Sequence, residues 1–515
     1  MKNKRVLILL AAFTIAFIWV YAYCFDSKLD LNGDNATYLA LAHHLAAGLG
    51  YSDVTFAGVS PHGHFPPGYP AFLSFFMWLG IDSLLFFKIL NGLLLYASLL
   101  LLWWIVCKMT KQLYLGFIVV FLSVMTPQLQ HFANIVMSEM LFLFCCVLAL
   151  FALCRQVDDE VSSESQRAFL KNIWFYVAIV AAVAAYYCRA VGASIIAAVL
   201  IFYLFRRKWM AAIGACIGMF LLILPWIIRN KMCGIESRYF GTIMTVNPWR
   251  PEEGTINSAG EMFDKMVHNC DETIIKGFRE LLFPFLTINY EEASSIVAII
   301  AGVLVVGVIF YGAWKLRQMR WAVMTFLLAN MSLFLLWHGG NGSRYVVPIA
   351  PFLFLCFYTG VYGLLQLTGV GAFRKEHSLY PLAFLFMFFP MRPMLKMQHE
   401  QAKAPYFPAY QNYFTIATTL NEQLPKGTLV CCRKTELFQY YAPNLFGVGY
   451  AYSLVPEEVI ADMEKKKVKY VILEQLGYSS TYRYLYPAIT AHPERFKPVW
   501  HLENPDTYLF EFVTP

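Results

Sequence analysis

The segment Asp30-Leu-Asn-Gly-Asp34-Asn-Ala-Thr-Tyr38 is polar and follows a hydrophobic N-terminal stretch. The motif His64-Phe-Pro66-Pro67-Gly68-Tyr69-Pro70 comes a short distance after it. The chain has 515 residues, of which 59% are hydrophobic and 14% charged. Its mean hydropathy of +0.53 leaves too few polar groups for an ordinary soluble protein of this length. The composition predicts a polytopic membrane protein, and the quoted segment then places a carboxylate at the membrane surface.

The apolar runs predict the membrane spans. A bilayer core of about 30 Å needs roughly 20 apolar residues per helix. Eleven runs approach this length, at residues 6–25, 82–107, 113–131, 135–154, 172–188, 190–205, 209–228, 293–314, 321–338, 345–367 and 377–391. The last is short and contains Pro381 and Pro390. We therefore expect a polytopic α-helical membrane protein with about 11 to 13 transmembrane helices.

The bias of Lys and Arg in short loops predicts the orientation. Lys2, Lys4 and Arg5 hold the N-terminus inside. Every second junction is then basic: Lys108/Lys111, Arg155/Lys171, Arg206/Arg207/Lys208, Lys315/Arg317/Arg320 and Arg374/Lys375. The first helix lacks a clear small-residue cleavage site, so we expect it to be retained. The formal net charge of +7 is explained largely by these inner loops, which favours contact with membrane lipids and not with nucleic acid.

The larger polar segments fall on the opposite face. They are the outer loops 26–81 and 229–292 of a transmembrane module at 1–391, and a C-terminal domain at 392–515. That tail is predicted to be a small α/β domain, with strands at Thr428–Cys432, Val468–Glu474 and Thr507–Phe512 and helices at Pro456–Lys467 and Tyr484–His492. If 377–391 does not cross the membrane, the tail is cytoplasmic.

Several ionisable residues have no topological reason for their positions. Asp34, Glu139, Arg189, Arg229 and Arg344 all fall at the outer ends of helices or just beyond them. Charge at membrane depth is expensive and therefore indicates function. The alternatives are that the arginines reach the headgroups, that Asp34 caps a helix, and that Glu139 is favoured by a helix dipole.

A lysine and several histidines add to this set. Lys88 lies inside the second span, where its ammonium needs a carboxylate or a lipid phosphate as partner. His43 and His44 are expected at the membrane interface, while His62 and His64 leave a metal site open.

The order of these short motifs resembles the GT-C superfamily of polytopic glycosyltransferases, in the branch with protein O-mannosyltransferases and lipid A aminoarabinose transferases. The matching elements are Gly33-Asp34-Asn-Ala-Thr-Tyr38, Pro66-Pro67-Gly68-Tyr69-Pro70, Lys88 with Asn91, Met137-Ser-Glu139, Pro225-Trp226-Ile-Ile-Arg229-Asn230, and Ser343-Arg344-Tyr345 followed by Pro348 and Pro351. The resemblance implies a GT-C fold and a small extracytoplasmic C-terminal domain.

It also implies roles for individual residues. Asp34 would be the general base that deprotonates the acceptor hydroxyl, and Glu139 would orient the acceptor or bind a metal. The cations available for the donor phosphate are Lys88, Arg189, Arg229 and Arg344, and the aromatic and histidine side chains expected at the substrate are Tyr38, His64, Tyr69 and Tyr345. The chain departs from the pattern at Phe65, which stands where a basic residue often precedes the Pro pair. No cofactor is implied with certainty, and a divalent metal stays open.

The expected function is therefore that of an inverting glycosyltransferase of a bacterial inner membrane, acting at the periplasmic face. Its donor would be a polyprenyl-phosphate-linked sugar, and its acceptor a hydroxyl of a glycolipid, a polysaccharide or a protein. A secondary transporter or lipid flippase would also carry many spans and buried charge. The third hypothesis is a non-catalytic envelope-assembly subunit, which would use the tail to bind partners.

Overall fold

The computed structural model describes residues 2–55, 58–159, 168–236, 239–337 and 342–514. Its chain divides into two compact units. The helical unit comprises Met1–Lys28, Gly63–Tyr239 and Ser258–Lys403, and the α/β unit comprises Leu29–His62, Phe240–Asn257 and Ala404–Pro515.

The secondary structure is mostly helical. The α-helices in chain order are α1 (Lys2–Tyr23), α2 (Asp34–Ala46), α3 (Gly68–Trp78), α4 (Leu84–Thr110), α5 (Leu113–Val124), α6 (Pro127–Ala133), α7 (Glu139–Asp159), α8 (Ile173–Cys188), α9 (Ala193–Phe205), α10 (Trp209–Met232), α11 (Tyr239–Met244), α12 (Ala259–Asn269), α13 (Gly277–Leu282), α14 (Ile296–Lys315), α15 (Arg320–Leu336), α16 (Ala350–Leu367), α17 (Gly371–Arg374), α18 (Phe388–Lys403), α19 (Pro408–Gln423), α20 (Thr435–Tyr441), α21 (Pro456–Lys465) and α22 (Tyr486–Ala491). The strands are β1 (Ser52–Thr55), β2 (Gly58–Pro61), β3 (Leu429–Cys431), β4 (Phe446–Val448), β5 (Tyr470–Leu473), β6 (Phe496–Leu502) and β7 (Thr507–Phe512).

The helical unit contains the membrane spans. Among the described residues, seven helices are long and apolar enough to cross a membrane, or eight if the bent pair α5–α6, with 67° between its halves, is one span. The apolar helices α8 and α9 are shorter. Each of the first ten predicted runs overlaps a helix or the bent pair α5–α6, although some begin or end a few residues outside it, as at 135–138 before α7. Residue 338 lies outside the described residues. The chain is thus a polytopic helical membrane protein. The predicted total of about 11 to 13 spans stays a prediction.

The eleventh run, at 377–391, does not form one of these long apolar helices. Tyr380–Met387 is a 3₁₀-helix with Pro381 in its first turn, and α18 continues from Phe388 with Pro393 in its interior. Proline removes a backbone donor and disturbs a regular helix, and α18 becomes polar from Arg392 onward.

Two helices of this unit approach each other closely. A Cβ added at Gly312 of α14 would lie 1.7 Å from the carbonyl oxygen of Cys356 on α16. A Cβ at Gly360 would lie 2.2 Å from the carbonyl oxygen of Val308. The two backbones are therefore in direct contact, as small residues permit between helices in a membrane.

The α/β unit is built around a mixed five-stranded sheet of order β4-β3-β5-β7-β6. β3 runs parallel to β4 and β5, whereas β7 is antiparallel to β5 and β6. The three predicted strands correspond to β3, β5 and β7, and the two predicted helices to α21 and α22. The short strand β4 and the strand β6 were not expected.

The division into units differs from the predicted boundary between 391 and 392. α18 carries the helical unit on to Lys403, because His399 stacks on Tyr23 with 3.9 Å between ring centroids and donates from Nδ1 to the Tyr23 carbonyl at 2.5 Å. In addition, 29–62 and 240–257 of the two outer loops belong to the α/β unit, which sequence periodicity alone did not reveal.

Candidate functional site

The first outer loop of the α/β unit presents Asp34 at the start of a helix. Asp34 is the first residue of α2, and Gly33 before it has φ 97°, a conformation that favours glycine. Asp34 is half-buried and lies where the helix dipole stabilises a carboxylate. The helix cap is thus Gly33 and not Asp34. Tyr38, one turn further on, is 3% exposed and lies in the interior of the unit.

Residues from the C-terminal part of the chain hold this loop. Lys434 Nζ donates to the carbonyl oxygen of Asn32 at 2.5 Å, and the Tyr413 hydroxyl donates to the carbonyl oxygen of Lys434 at 2.9 Å. Asp30 Oδ1 accepts from the backbone N–H of Asn32 at 2.8 Å. Lys434 is therefore a positioning residue for the loop before Asp34. The sequence carried no local signal for it, because the two segments are about four hundred residues apart.

In the helical unit, Glu139 and Arg189 form an ion pair. Glu139 begins α7 and is fully buried, and Arg189 follows α8 with a side chain 20% exposed. Arg189 Nη1 donates to Glu139 Oε1 at 2.6 Å and to Ser138 Oγ at 3.1 Å. The second carboxylate oxygen of Glu139 is buried with no hydrogen-bond partner in the described part of the chain. The structure thus brings these two predicted site residues together.

The ion pair between Glu139 and Arg189 should contribute to the stability of the helical unit. We expect Glu139→Ala to destabilise the helical unit by on the order of 3 kcal/mol, because the Arg189 charge would lose its carboxylate. Glu139→Gln combined with Arg189→Gln should recover most of that loss, since neither charge remains. Thermal unfolding of the purified protein in detergent measures both, and equal stability of Glu139→Ala and the wild type would contradict the expectation.

Lys88 is 2% exposed in α4. Its ammonium donates to the carbonyl oxygens of Asp26 at 2.6 Å and Lys28 at 2.5 Å. Lysine has only donors, and carbonyl oxygens satisfy them without an opposing charge. The structure therefore provides main-chain partners for Lys88, where the sequence suggested a carboxylate or a lipid phosphate, and it ties the chain that leads into the first outer loop to α4.

Arg229 is one of the side chains that line an apolar surface groove along α10. Its guanidinium is 4.9 Å from the ring centroid of Trp226, and Nη1 donates to Asn230 Oδ1 at 2.9 Å. The groove has a volume of about 460 Å³ and is otherwise apolar, with walls formed by Leu221, Leu224, Pro225, Ile228, Met232 and Cys233. A cation beside an apolar surface suits a ligand with an anionic head and a hydrocarbon chain.

Arg344 and Tyr345 lie half-buried in a 3₁₀-helix at Gly342–Tyr345. A Cβ added at Gly342 would be 3.0 Å from the Tyr290 ring, so this turn packs on Tyr290. The Tyr290 hydroxyl donates to the carboxylate of Glu280, which also accepts from Gln128 Nε2 at 3.2 Å. The polar neighbours Glu280 and Tyr290 were missed by the sequence analysis, because no spacing links them to Arg344.

The Pro-Pro loop contributes one exposed and one buried side chain. His64 is exposed and lies edge-on to Phe65, with 4.5 Å between ring centroids. Tyr69 is 0% exposed and donates to Asn91 Oδ1 at 3.2 Å, and Asn91 Nδ2 donates to the Ile135 carbonyl at 2.5 Å. Tyr69 is thus part of a buried network between helices.

No three His, Cys, Asp or Glu side chains come together in a geometry that could hold a metal ion, as far as the chain is described. His62 Nδ1 lies 2.8 Å from the Asp53 carboxylate, and His44 Nδ1 lies 2.7 Å from the carbonyl oxygen of Ser52. These residues do not form a ready metal centre in the described part of the chain.

Comparison with solved structures identifies the fold. The chain is similar to an Archaeoglobus fulgidus oligosaccharyltransferase tethered to an acceptor peptide, with a TM-score of 0.60 and 11% identity, over 98% of this chain and 74% of that one. It is also similar to ArnT from Cupriavidus metallidurans bound to undecaprenyl phosphate, with a TM-score of 0.58 and 12% identity, over 98% of both chains.

A further structure of the archaeal oligosaccharyltransferase AglB from Archaeoglobus fulgidus, in complex with an inhibitory peptide and a dolichol-phosphate, gives a TM-score of 0.57 and 12% identity, over 98% of this chain and 74% of that one. The sequence matches no family model and no curated protein. These neighbours are GT-C glycosyltransferases, so the predicted fold is confirmed: the chain has the polytopic GT-C fold over nearly its whole length.

Proposed function

We propose that this protein is an inverting glycosyltransferase of a bacterial inner membrane that moves a sugar from a polyprenyl-phosphate donor to an acceptor hydroxyl at the periplasmic face. The acceptor would be a glycolipid, a polysaccharide or a protein. Support comes from the fold, since one structural neighbour is bound to undecaprenyl phosphate and another to dolichol-phosphate and a peptide.

The chemistry needs one general base. A lipid phosphate is already a good leaving group, so the enzyme must chiefly remove the proton of the acceptor hydroxyl as its oxygen attacks the anomeric carbon. The C–O bond to the phosphate breaks as the new glycosidic bond forms, with inversion. We assign the base to Asp34, which is half-buried at the start of α2 in a loop fixed through Asn32 by Lys434.

The departing phosphate must be stabilised by cations. Of the four predicted, we favour Arg229, because it lines an apolar groove that suits a polyprenyl chain. Arg344 is proposed as a second contact. Arg189 is held by Glu139, and Lys88 by main-chain carbonyls, so we assign these two to positioning. Glu139 then orients Arg189 and not the acceptor.

The predicted substrate-binding side chains divide by exposure. His64 is exposed and Tyr345 half-buried, and both stay candidates for contact with the substrate. Tyr38 and Tyr69 are buried, so we assign them to supporting the elements that carry the site.

The observation that carries the proposal is a GT-C fold with a carboxylate at the start of the first outer helix. Mass spectrometry of polyprenyl lipids and envelope glycans, in cells with and without the protein, tests it. We expect the deletion to accumulate a polyprenyl-phosphate sugar and to lose one defined mass increment from a glycan, lipid or protein. Unchanged glycans and lipids would contradict the proposed transfer. Loss of the mass increment without accumulation of the donor would also contradict it, and either result would favour a transporter or an assembly subunit.

A further inference from the structure

The α/β unit holds an arginine among three aromatic rings. The guanidinium carbon of Arg433 lies 4.7 Å from the ring centroid of Tyr478, 5.7 Å from that of Tyr452 and 5.8 Å from that of Trp249. Rings at these distances attract a cation and restrict its movement. The side chain is half-buried, so the surrounding rings leave part of it open to solvent.

The hydrogen bonding of Arg433, as far as the chain is described, leaves the two terminal nitrogens of its guanidinium fork available to a ligand. Nε donates to Ser480 Oγ at 2.7 Å, which fixes the plane of the guanidinium. The nearby buried Glu474 interacts with Arg433 through its charge, while its oxygens accept from the Thr481 hydroxyl at 2.5 Å and the Leu476 N–H at 2.6 Å. In the part of the chain that the structure describes, the two terminal nitrogens of Arg433 donate to no protein atom. Such a fork matches a carboxylate or a phosphate in a bidentate manner.

Trp249 is held in place although the residue is 56% exposed. It lies in the segment 240–257, which is closed by a bridge between Thr245 and Thr255. Three residues beyond Trp249, Glu252 accepts from Arg483 Nε at 2.6 Å and from the Tyr484 hydroxyl at 2.8 Å. The loop thus keeps a large apolar ring at the surface beside Arg433, where its burial contributes little to the core.

The same cluster is joined to the loop of the proposed base. Lys434, the next residue after Arg433, lies with its ammonium 4.9 Å from the Tyr478 ring centroid and donates to the carbonyl oxygen of Asn32. Asn32 is two residues before Asp34. A ligand held by Arg433 and the rings would therefore contact the residue next to Lys434, and Lys434 fixes the loop of Asp34.

We propose that Trp249, Arg433, Tyr452 and Tyr478 form a binding subsite for an anionic saccharide, in which the acceptor carries a carboxylate or phosphate group. The apolar C–H face of a sugar ring stacks on the exposed Trp249, and the anionic group pairs with the terminal nitrogens of Arg433. Tyr452 and Tyr478 hold the guanidinium in place. This inference rests on the proposed glycosyl transfer, because it assigns the subsite to the acceptor of that reaction.

Binding of small probes to the purified full-length protein in detergent tests the proposal by saturation-transfer NMR and titration. The probes are methyl glucuronide, glucose 6-phosphate, methyl glucoside and inorganic phosphate. The two acidic sugars should bind at least about tenfold more tightly than methyl glucoside and inorganic phosphate, because only they offer both a ring face and an anion.

The variants locate the binding. Arg433→Gln and Trp249→Ala should each weaken the acidic sugars by about tenfold or more, and Arg433→Lys should restore little, because an ammonium lacks the planar fork. Trp249→Ala removes an exposed ring and keeps the test valid if an Arg433 variant does not fold. The matched control is Lys465→Gln, which removes an exposed charge on α21 of the same unit and should bind as the wild type does.

Asp34→Asn separates this inference from the proposed function, since it should bind the acidic sugars normally even if transfer is lost. Binding of inorganic phosphate as tight as that of glucose 6-phosphate would show a bare anion site and overturn the proposal. Failure of both acidic sugars to bind, or binding that neither Arg433→Gln nor Trp249→Ala weakens, would also overturn it.

Discussion

Asp34→Asn is expected to lower glycosyl transfer by about a thousandfold, because removal of a general base typically costs 10²- to 10⁴-fold in rate. Asparagine has nearly the same size and still suits the first turn of α2, so the loop held by Lys434 should keep its structure. The loss should appear in the rate of transfer while binding of the donor stays nearly unchanged.

Asp30→Asn is the matched control. Asp30 lies four residues earlier in the same loop, and its Oδ1 accepts from the Asn32 N–H, which an asparagine oxygen can also do. We expect the Asp30 variant to retain most of the activity. Transfer is measured as the amount of glycosylated acceptor formed by equal amounts of membrane-inserted protein. Activity of Asp34→Asn within a few-fold of Asp30→Asn would rule out Asp34 as the base.

Gly312→Ala should have the largest effect on folding. The added methyl carbon would lie 1.7 Å from the Cys356 carbonyl oxygen and 2.7 Å from the Gly360 nitrogen, so α14 and α16 must separate. Overpacking in a core commonly costs about 1–3 kcal/mol, and a clash with backbone on a rigid helix should reach at least the upper end. We expect a sharp fall in the yield and melting temperature of the detergent-solubilised protein.

Gly307→Ala on the same helix provides the comparison. Nothing lies within 4 Å of a Cβ built at Gly307, so alanine there should be neutral or slightly stabilising through its higher helix propensity. The difference in melting temperature between the two alanine variants isolates the helix contact from any general effect of the substitution. Equal behaviour of the two variants would mean that α14 and α16 are not in this close contact.

The helices of the membrane part could be predicted because their signal is local. Runs such as 82–107 and 209–228 are apolar over the length that a bilayer demands, and each corresponds to one helix, α4 and α10. The run at 377–391 was harder to interpret, because prolines and a polar continuation compete with its apolar character. The strands β3, β5 and β7 were visible as apolar runs, whereas β4 has Gly447 at its centre and β6 contains Pro498.

The candidate site could be predicted by residue type but not by partner. Charge at membrane depth singled out Glu139 and Arg189, yet only the fold shows that they pair across fifty residues. The ammonium of Lys88 donates to main-chain carbonyls, which no side-chain pattern reveals, and the expected contact with an anion stays a prediction. The contact of Lys434 with the first outer loop depends on a tertiary arrangement that joins distant segments, so it was invisible to motif and periodicity.

The most direct test of the proposed transfer uses the purified protein in liposomes. Polyprenyl-linked sugars extracted from a deletion strain serve as donor, and envelope glycans and lipids from the same strain serve as acceptor. Mass spectrometry follows polyprenyl phosphate and glycosylated product together. We expect the wild type to form one polyprenyl phosphate for each sugar transferred, and Asp34→Asn to form neither product. Movement of the intact donor across the bilayer with no new glycosidic bond would contradict the proposed transfer and would indicate a flippase.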